Sequence, residues 1–398
     1  MQQISDRIQA LATSQTLAMS QKSAELKAQG VDVINLSVGE PDFHTPQHIK
    51  AAAVKAIEDN YTFYSPVPGY MSLRKAIADK LSRENALNFA AEQIVVGNGA
   101  KHALCNVIMA TVNPDDEVII PTPAWVSYIE MVKLAGGKFV LVPTGVGQDF
   151  KITPEQLEEA ITERTRAIIL CSPSNPTGSV YTREELKGLV DVLVRHPQVL
   201  IIADEIYEHI IYDGFKFVSL ASFPAIAHRT VVINGVSKAY AMTGWRIGYC
   251  AAPVEVARAV TKLQGQFTSG ASSIAQKAAE AAYTGPQECV EEMRKAFERR
   301  RDLVVRLAGE IPGLVINKPQ GAFYLFPEVS AYFGKSAHGY KIENSSSLAM
   351  YLLEVANVAT VDGGAFCAPG YIRLSYATSD ENLVEAFARI KRALAELA

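Results

Sequence analysis

Residues 230–249, TVVINGVSKAYAMTGWRIGY, constrain the chain more than any other stretch. Thr230, Val231, Val232 and Ile233 are β-branched and uncharged, and read as a buried strand. The turn signal Asn234-Gly235 stops it. Ser237 and Lys238 follow at once, and Arg246 stands at the opening of a second apolar run. A lysine is thereby placed just past the carboxyl end of a buried strand. A buried amine tends to lose its proton and become a nucleophile; the bland alternative is a solvated loop lysine.

From residue 93 onward strands and helices alternate. QIVVGNGAKHALCNVIMATV reads as a strand, a glycine turn and a helix that buries Leu104, Val107, Ile108 and Thr111. DEVIIPTPAW, KFVLVPT, AIILCSPSNPTG and QVLIIADEIYEHIIY supply further strands. Thr153 and Thr182 open capping boxes with Gln156 and Glu185. This alternation predicts an α/β fold, a mostly parallel sheet sandwiched by helices. Helices are expected over 5–29, ending at Gly30, from a cap at Thr45 with a buried face Ile49, Ala53 and Ile57, and over 253–283 and 285–309. GLVINKPQGAFYLF and YIRLSYA read as strands, and Leu383, Phe387, Ile390 and Leu394 mark a C-terminal helix. The expected division is a large domain over 46–290 and a smaller α+β domain built from 1–45 and 291–398. Residues 61–70 read as an ordered surface loop, and 331–347 as a surface insertion or mobile loop.

In open α/β sheets ligands bind beyond the carboxyl ends of the strands. Asn175, Asp204 and Lys238 all fall at such ends. Taken singly, Asp204 also fits a helix N-cap and N-P-T-G an ordinary turn. The composition narrows the partners. A net charge of −4 with no basic stripe argues against nucleic acid. No apolar run reaches the length of about 20 residues that a membrane span needs. Five scattered cysteines without a C-x-x-C pair fit reduced thiols in a cytoplasmic protein. Glu205 with His209, and His44 with His48, have helical ligand spacing but no third ligand, so no metal is expected.

The pattern S-K-x-x-x-M-T-G-W-R-x-G-Y, together with S-N-P-T-G and D-E-I-Y, resembles the fold-type I enzymes that use pyridoxal 5'-phosphate. The resemblance is nearest to class I aminotransferases of the bacterial aspartate and aspartate-prephenate kind, and it runs from the N-terminal helix to SYATSDENL. It implies that Lys238 anchors the cofactor aldehyde and acts as general base, and that Asp204 faces the pyridine nitrogen. Tyr207 and Asn175 would bond the phenolic oxygen. Gly99, Ala100, Lys101, Ser237 and Arg246 would hold the phosphate, the first three through free amides at a helix start. Trp125 would stack on the ring or, blandly, pack the core. Arg373 would grip the substrate α-carboxylate in a two-pronged contact, with Gly39 on a loop against the substrate. Tyr64 would reach the phosphate of a neighbouring subunit, which makes the enzyme a homodimer. Lys101 would meet the far carboxylate of a dicarboxylic substrate, assisted by Ser14 or Thr16, or bind phosphate, or stand as a plain surface lysine.

The implied reaction is transamination between aspartate and 2-oxoglutarate, with prephenate or aromatic amino acids as an alternative donor range. A pyridoxal-phosphate lyase, a decarboxylase or an acyl transferase would use the same lysine and aspartate. A cofactor-binding regulator would carry a DNA-binding domain, for which the first motif, beginning by residue 37, leaves no room.

Overall fold

The computed structural model describes residues 4–12 and 15–398, with side chains over 4–12 and from residue 18 onward. Seven strands form the central sheet, in the spatial order 94–98, 247–251, 230–235, 200–204, 165–171, 117–122 and 138–143. Every pairing is parallel except those of 247–251, which runs antiparallel to both neighbours. Strands 230–235 and 200–204 are buried along their whole length, as helices on both faces require. A second, three-stranded antiparallel sheet joins 361–362, 372–375 and 324–325, and residues 34–35 pair in parallel with 358–359. Both chain ends thus meet around this smaller sheet. No helix of the described residues is long and apolar enough to cross a membrane.

Local signals hold where the side chain has no competing partner. Thr153 and Thr182 cap their helices in reciprocal boxes with Gln156 and Glu185. Leu104, Val107, Ile108 and Thr111 are buried, and so are Leu383, Phe387, Ile390 and Leu394.

Elsewhere long-range contacts win. Thr45 does not cap the helix Gln47–Glu58, for which Pro46 is the N-cap. Its hydroxyl instead donates to the Ala241 carbonyl at 2.7 Å and accepts from Trp245 Nε1 at 3.0 Å. That helix buries Ile49, Ala53 and Ala56, while Ile57 is exposed. The N-terminal helix is not continuous: Asp6–Gln9 and Gln15–Ala28 are separate. The helix expected over 253–283 breaks between Phe267 and Ser273, where Ser65 of the aromatic loop seats its hydroxyl on the Ala271 carbonyl at 2.8 Å. Of GLVINKPQGAFYLF only Tyr324–Leu325 is a strand. Asn317 is drawn away to Asp149 Oδ1 at 2.9 Å, and the amides of Gln320 and Gly321 to the Gly178 carbonyl. Within 331–347 a two-stranded hairpin, 336–337 with 340–341, is tied to the C-terminal Ala398.

One close approach seats the helix Ala100–Thr111 on the central sheet. A Cβ on Gly248 would lie 2.1 Å from the Ala100 amide nitrogen and 2.5 Å from the Gly99 carbonyl carbon. Both are backbone atoms and can yield only if the turn moves. Gly248→Ala is therefore expected to cost about 1–3 kcal/mol through overpacking, measured as an earlier urea unfolding transition.

Candidate active site

Six strands of the central sheet point the same way, and five of them end at Asn98, Thr122, Cys171, Asp204 and Gly235. The turns after them line a cavity of about 530 Å³, closed from the other side by Arg373, Tyr324 and the segment Val38–Glu40.

At its floor Asp204 is 4% exposed. Tyr128 Oη donates to its Oδ2 at 2.7 Å, and the Ile206 amide donates to Oδ1 at 3.3 Å. Burial raises the Asp204 pKa, while these two donors and the nearby Lys238 oppose the rise. Burial drives the Tyr128 phenol well above its ordinary value, so it serves as a fixed donor. A cation placed against Asp204 would relieve its desolvation.

Lys238 reaches into the cavity, and its ammonium donates to the Gly39 carbonyl. Burial and the charges of Arg373 and Arg246 pull its pKa down to about 8; Glu40 and Asp204 work in the opposite direction.

At one end of the cavity Gly99 precedes the helix Ala100–Thr111 with φ +87°, and a Cβ there would lie 2.3 Å from the Arg246 guanidinium. Arg246 itself has a left-handed backbone, φ 57°, which is uncommon for a residue with a side chain. Its guanidinium donates to the carbonyls of Thr243 at 2.8 Å and Asn98 at 3.2 Å. With the free amides of the helix start and the buried Ser237, this makes a cradle for a small anion. Lys101 Nζ stands 4.7 Å over the Trp125 ring. The cavity walls and Arg246 lower its pKa, although the side chain is open to solvent at the mouth.

At the other end Arg373 is 2% exposed. It donates to Asn175 Oδ1 at 3.0 Å and to the Ser37 carbonyl at 2.7 Å, and its Nε is buried without a partner. Its guanidinium lies 4.5 Å from the Tyr324 ring centroid and 5.0 Å from that of Phe366. All its partners are neutral, so a buried cation waits for an anion from outside. Tyr207 and Tyr324 share a 2.7 Å hydroxyl contact beside it.

Residues 31–390 match the family described as aminotransferase class I and II. The chain belongs to this family. It is 52% identical over 390 residues to the aspartate/prephenate aminotransferase of Cereibacter sphaeroides, covering 98% of each chain. It is 50% identical over 393 residues to an aspartate aminotransferase of Geobacillus stearothermophilus, again covering 98% of each. Among solved structures, the aspartate aminotransferase from Rhizobium meliloti superposes with a TM-score of 0.96 at 45% identity, covering 100% of both chains. That from Thermus thermophilus with maleate gives 0.92 at 42% identity, covering 99% of this chain and 100% of that one.

In this aminotransferase Gly39, Ala100, Lys101, Trp125, Asn175, Asp204, Tyr207, Ser237, Lys238, Arg246 and Arg373 line one cavity, and Gly99 abuts it. Tyr64 does not: its side chain is 98% exposed, on a separate hollow with Phe63 and Ser272. Ser14 and the Thr16 side chain lie outside the described residues. Glu205 and His209 turn to different partners, Ser219 and Glu84. Sequence reasoning missed Tyr128, Tyr324 and Glu40, although Tyr128 stands three residues after Trp125, Tyr324 inside GLVINKPQGAFYLF and Glu40 next to Gly39. Proximity of Tyr128 to Trp125 along a helix turn was the one available signal.

The lowered pKa of Lys238 has a measurable consequence. Only the neutral amine attacks an aldehyde, so labelling of Lys238 by a small aldehyde and borohydride should rise with pH through about 8. A plateau is expected above pH ~9, whereas an ordinary lysine, with a pKa of about 10.4, keeps gaining reactivity. Peptide mapping across a pH series checks this.

Proposed function

We propose that this aminotransferase exchanges the amino group of aspartate with 2-oxoglutarate, giving oxaloacetate and glutamate, with pyridoxal 5'-phosphate as cofactor. The observation that carries the reading is the pairing, in one cavity, of a pKa-lowered lysine with a buried arginine that has no counter-charge. Relatives at about half identity, matched over 98% of their length, are named aspartate/prephenate and aspartate aminotransferase.

The residues present fit that cofactor. The Gly99 turn, where a Cβ would fill the cradle, suits a phosphate together with Ser237, Arg246 and the amides of Ala100 and Lys101. Asp204 would keep the ring nitrogen protonated, and a cation there offsets the burial of its carboxylate. Tyr207 and Asn175 would bond the phenolic oxygen, and Trp125 would cover a ring face. When bound, pyridoxal phosphate supplies the electron sink for the substrate α-carbon. Lys238 would hold the aldehyde and, once released, take the proton from the α-carbon as a neutral amine. Its pKa near neutrality suits both tasks. Arg373 would orient the α-carboxylate, gaining the anion its burial calls for, with Gly39 bordering the substrate.

For the far carboxylate, Lys101 is the available cation at the cavity mouth. Its exposure places the contact at about 1.5–3 kcal/mol, the range for a charged hydrogen bond. Lys101→Ala in the pyridoxal-phosphate enzyme should therefore weaken aspartate and 2-oxoglutarate about ten- to hundredfold and leave alanine and cofactor affinity nearly unchanged. Equal losses on all substrates with weaker cofactor binding would assign Lys101 to the phosphate. Prephenate belongs in the same substrate panel, because a relative at 52% identity is named for it. A wild-type chain that takes up no pyridoxal phosphate, or transaminates none of the panel, defeats the reading.

The assembly we propose is a homodimer in which Tyr64 completes the partner's phosphate cradle, with the chain dividing into a large domain over 46–290 and a small one from 1–45 and 291–398. Phe63 and Tyr64 are 81% and 98% exposed. Their hollow shares Ser272 and Ile274 with a second one of about 790 Å³ that reaches Arg246. Mixing Tyr64→Phe with Lys238→Ala subunits should restore activity above either variant alone, since one site of each heterodimer is then intact. If subunit exchange is demonstrated and no mixing ratio gives a gain, the shared site is refuted. The free cysteines of the structure accord with a cytoplasmic setting.

A further inference from the structure

Behind the cavity floor lies a cluster of ionisable groups that the mechanism above does not use. Lys80, on the helix Met71–Asn85, is 0% exposed. Its ammonium donates to Glu208 Oε1 and, at 2.9 Å, to Asn85 Oδ1. Glu208 also accepts from Asn85 Nδ2 at 2.7 Å and from Asn234 Nδ2 at 2.7 Å. Asn234 Oδ1 in turn takes the Gly235 amide at 2.7 Å. The other ionisable neighbours are Glu84, 3.6 Å from Lys80, and His209, 3.7 Å from Glu208; these two side chains meet at 2.9 Å. Glu205, buried nearby, accepts from Ser219.

The connectivity matters more than the charge. Glu208 follows Tyr207 directly and closes the turn that begins at Asp204, its amide bonded to the Glu205 carbonyl at 3.0 Å. Asn234 and Gly235 end the strand that delivers Ser237 and Lys238. One carboxylate therefore straps two neighbouring strand-end turns together and fastens both to a helix beneath. A buried ion pair is a poor way to gain stability, since apolar residues of like volume often do as well or better. Its value is directional: charged hydrogen bonds fix angles that packing leaves free.

We propose that Lys80, Glu208 and Asn234 are positioning residues that set the Lys238 turn against the Asp204–Tyr207 turn. The inference rests on the reading of Lys238 given above, and the test separates the two. Two variants are made in the full chain. Asn234→Ala cuts the strap and leaves the ion pair. Lys80→Met with Glu208→Leu removes both charges while keeping the interior filled.

Both variants are expected to fold, by circular dichroism and sedimentation. In the cofactor-free protein, the pH midpoint of Lys238 labelling should then rise by about one unit as the loosened amine gains solvent. In the pyridoxal-phosphate enzyme, kcat should fall about 10–100-fold with KM for aspartate little changed, because Arg373 is not in the cluster. A merely structural pair would lower the unfolding transition and leave the midpoint and kcat of the folded protein at wild-type values; that result in both variants overturns the proposal. A wild-type protein that is never labelled at Lys238 overturns the reading of the lysine itself, and the proposal with it.

Discussion

Uncompensated positive charge in a low-dielectric cavity is the constraint on which the site depends. Lys238, Arg246, Arg373 and Lys101 converge there, against Asp204 at the floor and Glu40 at the rim. Such an excess is tolerable only because neutral dipoles share it: the carbonyls of Ser37, Gly39, Asn98 and Thr243, and the Asn175 amide oxygen, all point at a cation. Backbone carbonyls stabilise a charge without cancelling it, so the electrostatic demand for anions survives folding.

The same carbonyls belong to different parts of the chain. Ser37 and Gly39 lie between the helices Gln15–Ala28 and Gln47–Glu58, whereas Asn98 ends the strand 94–98 and Thr243 precedes the strand 247–251. Further outward, Arg300 grips Asp42 through both guanidinium arms at 2.7 and 2.8 Å, and its guanidinium lies 5.3 Å from the Phe43 ring centroid. The loop that closes the cavity at Val38–Glu40 is thus held from behind by the long helix Glu288–Gly309. Packing far from the chemistry decides where the Gly39 carbonyl stands.

The sequence made most of the parallel sheet legible, because each strand is a short β-branched run with a turn signal at its end, and the site residues occur at those ends. The two capping boxes were legible for the same reason, being closed within four residues. Thr45, Ile57 and the strand expected after Gly313 were misread because their partners, Trp245, solvent and Asp149, are remote in sequence or invisible to periodicity. The antiparallel direction of 247–251 carries no local mark either. Within the site, residues whose types perform chemistry could be named, Lys238, Asp204 and Arg373 among them. Tyr128 and Tyr324 escaped because they act by orienting other side chains, a role that any core tyrosine could fill.

The glycine at 248 has one more consequence. By letting the start of the helix Ala100–Thr111 rest directly on the sheet, it seats the anion cradle on strand 247–251, while Asp204 belongs to strand 200–204. Two interstrand steps separate them, roughly 10 Å at the usual spacing. That distance is set by backbone hydrogen bonding, which no side-chain substitution in the cavity can alter. The sheet therefore holds the cradle and the carboxylate at a spacing that does not depend on the side chains lining the cavity between them.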